Sequence, residues 1–547
     1  MIVETENGPV RGACRSEVWS FKGIPYASAP TAERRFGPPE PAPVWDAPRD
    51  ATAFGSAAPQ NPDSLDHIWG ERLAPGDEDC LTLNIWTPST DHGQPKPVMV
   101  WIHGGAFVIG SGRWGWCDGG ELAKRGEVVV VTINYRLGVL GFLDLSEVGD
   151  SRHASSGNHG LLDQIAALRW IRANIARFGG DPNNVTIFGE SAGAISVSSL
   201  LATPRAQGLF HNAIVMSGGA NLVRTPETSR AVTRSFFKLA RVDTVSQLQA
   251  LPTKTLLSLQ QRFLNQNEFG GDLVFGPVVD GLSLPEHPLH AVRAGRARRI
   301  SLLTGTTMDE ARLWALYVPL LRWSRPRGLE NVLRHTVGER WREVISTYER
   351  ARPNERPGNL AMAINGDLLF RMPAIRLAEA QAVHRPHDTR MYLFSWRTPT
   401  HGGRLGAPHA VDLPFIFGNL EQRGVQRYIG SGSERLDLSR RIQDAWIAFA
   451  RGGDPNHAGL PHWPAYHPNT RATMVFDNTT RLENDPRSDE RRVWGSVPFD
   501  GVSPAIEKSV PTTSEVLHSL LPAWRTEKSS TSEIVRMCVD PLKSCRV

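Results

Sequence analysis

Six short runs of the chain are apolar at nearly every position: "PVMVWI" (97–102), "EVVVVTIN" (127–134), "VTIF" (185–188), "AIVMS" (213–217), "RISLLTG" (299–305) and "TRMYLFSW" (389–396). A strand with one wet face alternates apolar and polar residues; a run without alternation reads as a strand covered on both faces, as in a parallel sheet. Helical spacing lies between some of these runs. In "LLDQIAALRWIRANIARFGG" (161–180), Leu162, Ile165, Leu168, Ile171, Ile175 and Phe178 recur every three or four residues. Gly179 and Gly180 then stop the helix, and Asp181-Pro182 starts the turn into the next strand. Strands alternating with helices predict βαβ units: an α/β protein with a mostly parallel central sheet and helices on both faces.

Two blocks break that rhythm. Residues 225–275 and 320–385, the latter including "LENVLRHTVGERWREVISTYER" (329–350), have helical patterns and are expected to be insertions forming pocket walls. They belong to one domain, 1–494. The tail 495–547, rich in Ser, Thr, Pro and Lys, is expected to be partly disordered or loosely docked. With 547 residues, 40% of them hydrophobic, the chain can bury a large core. The net charge of +5 is nearly balanced over that length, and no Lys/Arg block alternates with aromatics, so nucleic acid is not an expected partner. No stretch is long and apolar enough to span a membrane. The opening "MIVETENGPVRG" has no signal-peptide core, and the five cysteines (Cys14, Cys80, Cys117, Cys538, Cys545) have the spacing of neither a disulfide framework nor a zinc site. A cytoplasmic protein without metal or cofactor is expected.

The candidate chemistry centres on "FGESAGA" (188–194). Gly189-Glu190-Ser191-Ala192-Gly193 stands between the strand "VTIF" and the helical "AISVSSLLA", the strand–turn–helix context in which a serine on a strained turn becomes a nucleophile. Glycines on either side allow strand and helix to approach closely. "WIHGGAF" (101–107) puts Gly104 and Gly105 after another strand, where their N–H groups join that of Ala192 as candidate oxyanion donors. His103 precedes the serine and reads as structural. An acid and then a base are expected after later strands. "TTMDE" offers Asp309 and Glu310, and "RTPTHGGRLGAPHAVDLPFIFG" offers His401 and His409. Position does not choose within either pair. Phe107, Trp114, Trp116, Leu313 and Trp314 lie near these segments and suggest an apolar pocket, although residues so close to a large core also simply pack.

Over residues 8–494 the chain resembles the type-B carboxylesterases, the carboxylesterase/cholinesterase branch of the α/β-hydrolases. The resemblance is carried by "FKGIPYASAP", "DEDCLTLNIWTP", "VWIHGGAF", "VVVVTINYRLGVLGFL", "GNHGLLDQIAALRWIRANIARFGGDPNNVTIFGESAGA", "FGPVVDG", "GTTMDEARLW", "HAVDLPFIFG" and "AFARGGDPN", in that order. It implies a nucleophile at Ser191, an acid at Glu310 rather than Asp309 and a base at His409 rather than His401. Oxyanion donors fall on Gly104, Gly105 and Ala192, and Ser217 in "VMSGG" matches a partner of the acid. The implied reaction is hydrolysis of small carboxylic esters through an acyl-enzyme. Carbamates, amides or thioesters are the alternative substrates, and a non-catalytic binding protein is the alternative class.

The chain also departs from the family pattern. Ala58 stands where a cysteine often pairs with the one in "EDCL", so Cys80 is expected to be a free thiol. Ala106 replaces the third glycine of the oxyanion loop. Cys117 and Met216 replace a tyrosine and a glutamine and are expected to pack, and "APTAERRF" lacks a usual glycine.

Overall fold

The computed structural model of the protein describes residues 1–63, 76–90, 93–266, 273–317, 327–495 and 497. Its strands are β1 (Ile2–Thr5), β2 (Gly8–Arg11), β3 (Ala13–Arg15), β4 (Val18–Pro25), β5 (Arg49–Asp50), β6 (Thr82–Thr87), β7 (Lys96–Ile102), β8 (Val129–Ile133), β9 (Gly180–Glu190), β10 (Asn212–Met216), β11 (Ser301–Thr307), β12 (Thr389–Phe394), β13 (Ala472–Phe476) and β14 (Arg481–Asn484). Among the described residues, eleven of them form one sheet in the order β14-β13-β12-β11-β10-β9-β7-β8-β6-β4-β3. From β13 to β8 every neighbouring pair is parallel. β14 closes one edge antiparallel, and β6, β4 and β3 close the other.

The six apolar runs are β7 to β12, all in the parallel centre, and β8, β10, β11 and β12 are buried at every position. Alternate residues serve different cores. Val98, Val100 and Ile102 of β7 face one apolar cluster, shared with the helices His159–Asn174 and Ala192–Ala202. Met99 and Trp101 face the other, shared with Leu413–Phe417 and Glu434–Gly452. The run without period two is therefore the mark of a sheet buried on both sides. The helix at 161–178 is observed as His159–Asn174 tightening into a 3-10 turn, Ile175–Phe178. Gly179 ends it with φ 80°, its N–H donating to Ala176 O.

Strand β9 begins at Gly180, ahead of the run at 185, because Gly180 already pairs with Lys96 of β7. Strand β6 escapes the apolar pattern although all its positions are buried. Its buried polar Asn84 exchanges water for protein partners on folding, Nδ2 donating to Thr132 Oγ1 at 2.9 Å.

The block at 225–275 folds into helices Pro226–Ala240, Val245–Gln249 and Thr253–Gln266. The block at 320–385 contains Arg327–Val337, Trp341–Ala351, Pro357–Gly366 and Met372–His384, the last two joined by a π-helical turn, Asp367–Arg371. Residues 267–272 and 320–326 of these regions, and the tail apart from Gly495 and Val497, lie outside the described residues. No helix among the described residues is long and apolar enough to cross a membrane. Cys80 and Cys117 are buried free thiols, and Cys117 and Met216 sit in the core that also holds Trp101.

Sheet order decides where the candidate residues meet. β12, β11, β10, β9 and β7 are consecutive neighbours. Their C-terminal ends therefore bring the segments carrying His409, Glu310, Ser217, Ser191 and Gly104-Gly105 to one edge of the sheet, the position where open α/β sheets bind ligands.

Candidate active site

Ser191 follows β9 directly and opens the helix Ala192–Ala202 with φ 56° and ψ −122°. A non-glycine residue rarely holds such angles, and the cost of such strain is about 1–3 kcal/mol unless the surroundings impose it. Here they do. Ser191 N–H donates to Met216 O at 3.0 Å and Ser191 O accepts from Ile195 N–H at 3.0 Å. The flanking glycines have no room for a side chain: a Cβ on Gly193 would stand 2.0 Å from Ile102 O, and one on Gly189 would stand 2.6 Å from the Gly193 backbone.

Gly104 and Gly105 follow β7 in a tight turn. A Cβ on Gly104 would lie 2.8 Å from Glu190 O and 3.1 Å from Ser191 Cβ, so the loop rests against the serine. Gly105 has φ 108°, and Ala106 and Phe107 follow with φ 52° and 60°. The N–H groups of Gly104, Gly105 and Ala106 find no acceptor among the described residues. That of Ala192 is one of the unpaired donors of a helix start. His103 anchors the loop from below. Its ring stacks on Tyr135 with centroids 4.4 Å apart, Nδ1 lies 2.8 Å from Gly104 O, and Tyr135 Oη–H donates to His103 O at 2.8 Å. Burial holds its pKa down to about 4, so the ring is neutral.

Glu310 and His409 meet in the interior. Both are almost fully buried. His409 Nδ1 lies 2.6 Å from Glu310 Oε2, and Glu310 Oε1 accepts from Thr307 N–H at 2.7 Å. His409 N–H donates to Glu310 O at 3.2 Å, and Tyr428 Oη–H donates to His409 O at 2.7 Å. Both edges of the imidazole face a carboxylate, since Nε2 lies 3.0 Å from Glu190 Oε1. That contact is close but out of line for a ring N–H, because Glu190 Oε1 makes no hydrogen bond among the described residues. No hydrogen bond joins His409 to Ser191 Oγ in this arrangement, a looseness common at catalytic sites without substrate. Burial by itself would lower the imidazole pKa, but the charges of Glu190 and Glu310 outweigh it and hold it well above the usual histidine range. Burial likewise pushes Glu190 up, with His409 opposing. Phe370, delivered by the π-helical turn, and Trp314 lie against the imidazole at centroid distances of 4.7 and 5.5 Å.

The other sequence candidates fall elsewhere. Asp309 turns away from the imidazole toward Arg312 Nε, 3.1 Å away, and Ala407 N. His401 is exposed on the long loop before His409, with φ 52°. Ser217 is buried at the end of β10, between the strands that lead to Ser191 and Glu310, and its Oγ makes no hydrogen bond among the described residues. Of the suggested pocket residues, Phe107, Trp116 and Leu313 are buried in the core, while Trp114 and Trp314 remain partly exposed. Three contributors were not singled out in the sequence: Glu190, Phe370 and Asp412. Glu190 was visible as the residue before Ser191. Asp412 lies inside "HAVDLP", fully buried, and burial raises its carboxyl to about 8. Phe370 had no local signal, because its helix reaches His409 only through tertiary packing.

A strained hydroxyl, a carboxylate-backed imidazole and unpaired backbone donors are the parts that acyl transfer requires. Known proteins agree in kind. The carboxylesterase family model matches residues 1–494. The para-nitrobenzyl esterase of Bacillus subtilis is 41% identical over 497 residues, covering 90% of this chain and 98% of that protein. An acylcarnitine hydrolase of Rattus norvegicus is 37% identical, covering 85% of each chain. Among solved structures, a carboxylesterase of Geobacillus stearothermophilus at pH 6.2 superposes with a TM-score of 0.81 at 43% identity, covering 90% of this chain and 99% of that one. A thermophilic PNB esterase does so with a TM-score of 0.80 at 38% identity, with the same coverage. The chain has the α/β-hydrolase fold, belongs to the carboxylesterase family and is a carboxylic ester hydrolase.

Proposed function

We propose that Ser191, His409 and Glu310 carry out the hydrolysis, with Gly104, Gly105 and Ala192 as the oxyanion donors. The observation that supports this most is the buried 2.6 Å contact between Glu310 and His409 beside a serine strained on its turn. Nε2 takes the Ser191 proton as Oγ attacks the ester carbonyl, and Glu310 stabilises the resulting imidazolium. The carbonyl oxygen becomes an oxyanion held by the three N–H groups. His409 returns the proton to the leaving alcohol, and water repeats the sequence on the acyl-enzyme. Ser217, buried between the strands leading to Ser191 and Glu310, is assigned a supporting role beside the acid by its place in the sheet alone. Trp314, beside the imidazole, favours an apolar ester.

Ser191→Ala decides the nucleophile. The folded variant should lose turnover of p-nitrophenyl acetate and lose labelling by an organophosphate. Near-normal turnover, or a label on another peptide, would remove Ser191 from the role. Glu310→Gln and His409→Ala should be crippled, whereas His401→Ala should not. The unpaired Cys80, buried where relatives often carry a disulfide, supports a cytoplasmic, reducing location. Fractionation of cells expressing the full chain should recover the esterase activity with a cytoplasmic marker; activity in the medium or with a periplasmic or membrane marker would overturn the location.

A further inference from the structure

The loop carrying His409 leaves β12 at Phe394 and has little regular structure before its histidine. It contains one short 3-10 turn, Thr400–Gly403, and left-handed φ values at His401, Gly402, Gly403, Gly406 and Ala410. Besides the Glu310–His409 side-chain contact and a longer bond from Arg312 to Arg404 O, three hydrogen bonds join it to the turn that carries Glu310. Asp309 N–H donates to Ala407 O at 2.9 Å, and His409 N–H donates to Glu310 O at 3.2 Å. Both are backbone bonds, open to any residue. The third belongs to one side chain: Ala407 N–H donates to Asp309 Oδ2 at 3.1 Å.

That carboxylate is itself fixed. It is buried, and its Oδ1 lies 3.1 Å from Arg312 Nε. Arg312 in turn reaches Glu355 Oε1 at 3.1 Å and Arg404 O at 3.4 Å, so it ties the helical insertion and the base loop to the same point. Arg397 Nη1 lies 3.9 Å from Asp309 Oδ2. A Cβ on Gly406 would stand 2.1 Å from Asp309 Oδ2, so the loop passes this carboxylate more closely than any side chain permits.

We propose that Asp309 is a positioning residue for ester hydrolysis: its carboxylate, braced by Arg312, holds Ala407 and so sets the contact between His409 and Glu310. This rests on the reading of Ser191, His409 and Glu310 as the catalytic set. A hydrogen bond to a charged acceptor is shorter and stronger than one between neutral groups. Misplacing a reacting group by 1 Å can cost about 100-fold in rate. Among the described residues, Glu310 at Nδ1, Glu190 at Nε2 and the buried Asp412 are the carboxyl groups that act on this ring. When the base loop slackens, His409 draws back from Glu310 while the other two stay on their own segments, and its imidazolium loses part of an opposite charge. Its pKa falls, and the acid limb of the activity profile moves to lower pH.

The test uses the full chain with Asp309→Ala, Gly406→Ala and Asp309→Asn. kcat and KM for p-nitrophenyl acetate are measured across pH, and active sites are counted by exhaustive organophosphate labelling. For Asp309→Ala, kcat per labelled site should fall by about 10- to 100-fold with KM within about threefold. The acid limb should move down by about one unit. Gly406→Ala pushes the same contact from the loop side and should shift the limb in the same direction. Asp309→Asn keeps an acceptor for Ala407 and should recover most of kcat. Unchanged kcat per site overturns the proposal. So does a loss of activity matched by a loss of labelled sites with the limb unmoved, which is what a merely structural role produces. If Asp309→Ala does not fold, Gly406→Ala decides by the same criteria. Failure of the catalytic set itself has a different signature, an active Ser191→Ala, so the two outcomes are separable.

Discussion

Replacing Glu190 by glutamine should shift the acid limb of kcat/KM to lower pH. In the proposed mechanism His409 must be neutral to accept the Ser191 proton, so activity is expected to fall as the pH drops through its pKa. That pKa is held well above the usual range because carboxylates face both edges of the ring, Glu310 at 2.6 Å and Glu190 at 3.0 Å. Unit charges 3 Å apart attract by about 5.5 kcal/mol at an effective dielectric near 20, which is a ceiling for the Glu190 contribution. Burial also pushes the Glu190 carboxyl above its ordinary range, with His409 opposing, so the pair interaction is partly offset by the cost of burying the charge. Neighbouring opposite charges typically move a pKa by about 1–3 units, or roughly 1.4–4 kcal/mol at 1.36 kcal/mol per unit. The sign is unambiguous: a negative charge favours imidazolium, so its removal lowers the pKa and frees the base at lower pH. The assay is kcat/KM for p-nitrophenyl acetate from about pH 5 to 9 with the spontaneous rate subtracted, which reports groups of the free enzyme. The limb of Glu190→Gln should lie about 1–3 units below that of the parent. A limb that stays in place or moves upward would refute the electrostatic account of this site.

Other substitutions test the scaffold. Gly193→Ala places a Cβ 2.0 Å from Ile102 O and should give little folded protein; a stable, active variant by thermal melt and assay would show that the elbow relaxes. Ala106→Gly removes a left-handed strain that costs L-residues about 1–2 kcal/mol, partly offset by about 0.5–1 kcal/mol of glycine entropy. Its denaturation midpoint should be equal or higher, and a clear loss of stability contradicts the strain argument. Asp163→Ala strands Arg136, which is buried and donates to both Asp163 oxygens at 2.7 and 2.8 Å. Leaving a buried charge unpaired should cost about 3–5 kcal/mol in urea unfolding, and a loss below about 1 kcal/mol would mean that water reaches the guanidinium.

The amino-acid sequence by itself determined the parallel centre of the sheet and the elbow. β7 to β12 are legible because a strand buried on both faces must be apolar throughout, and Gly189-Glu190-Ser191-Ala192-Gly193 because a strained turn admits few residue types. It was less informative outside the parallel centre, where β6 mixes Thr and Asn with apolar residues and depends on partners such as Thr132. Local pattern left two acids and two histidines open; resemblance to the family pointed to one of each. Only the tertiary structure decided what those residues face. Sheet order placed β12, β11, β10, β9 and β7 side by side, so segments hundreds of residues apart converge. Burial and charge then set the surroundings: Glu190 came to lie beside His409, Asp309 came to accept from Ala407 N–H instead of facing the imidazole, and Phe370 arrived from the π-helical turn Asp367–Arg371. Periodicity records which face of an element is buried, whereas distances between groups on different elements exist only after folding.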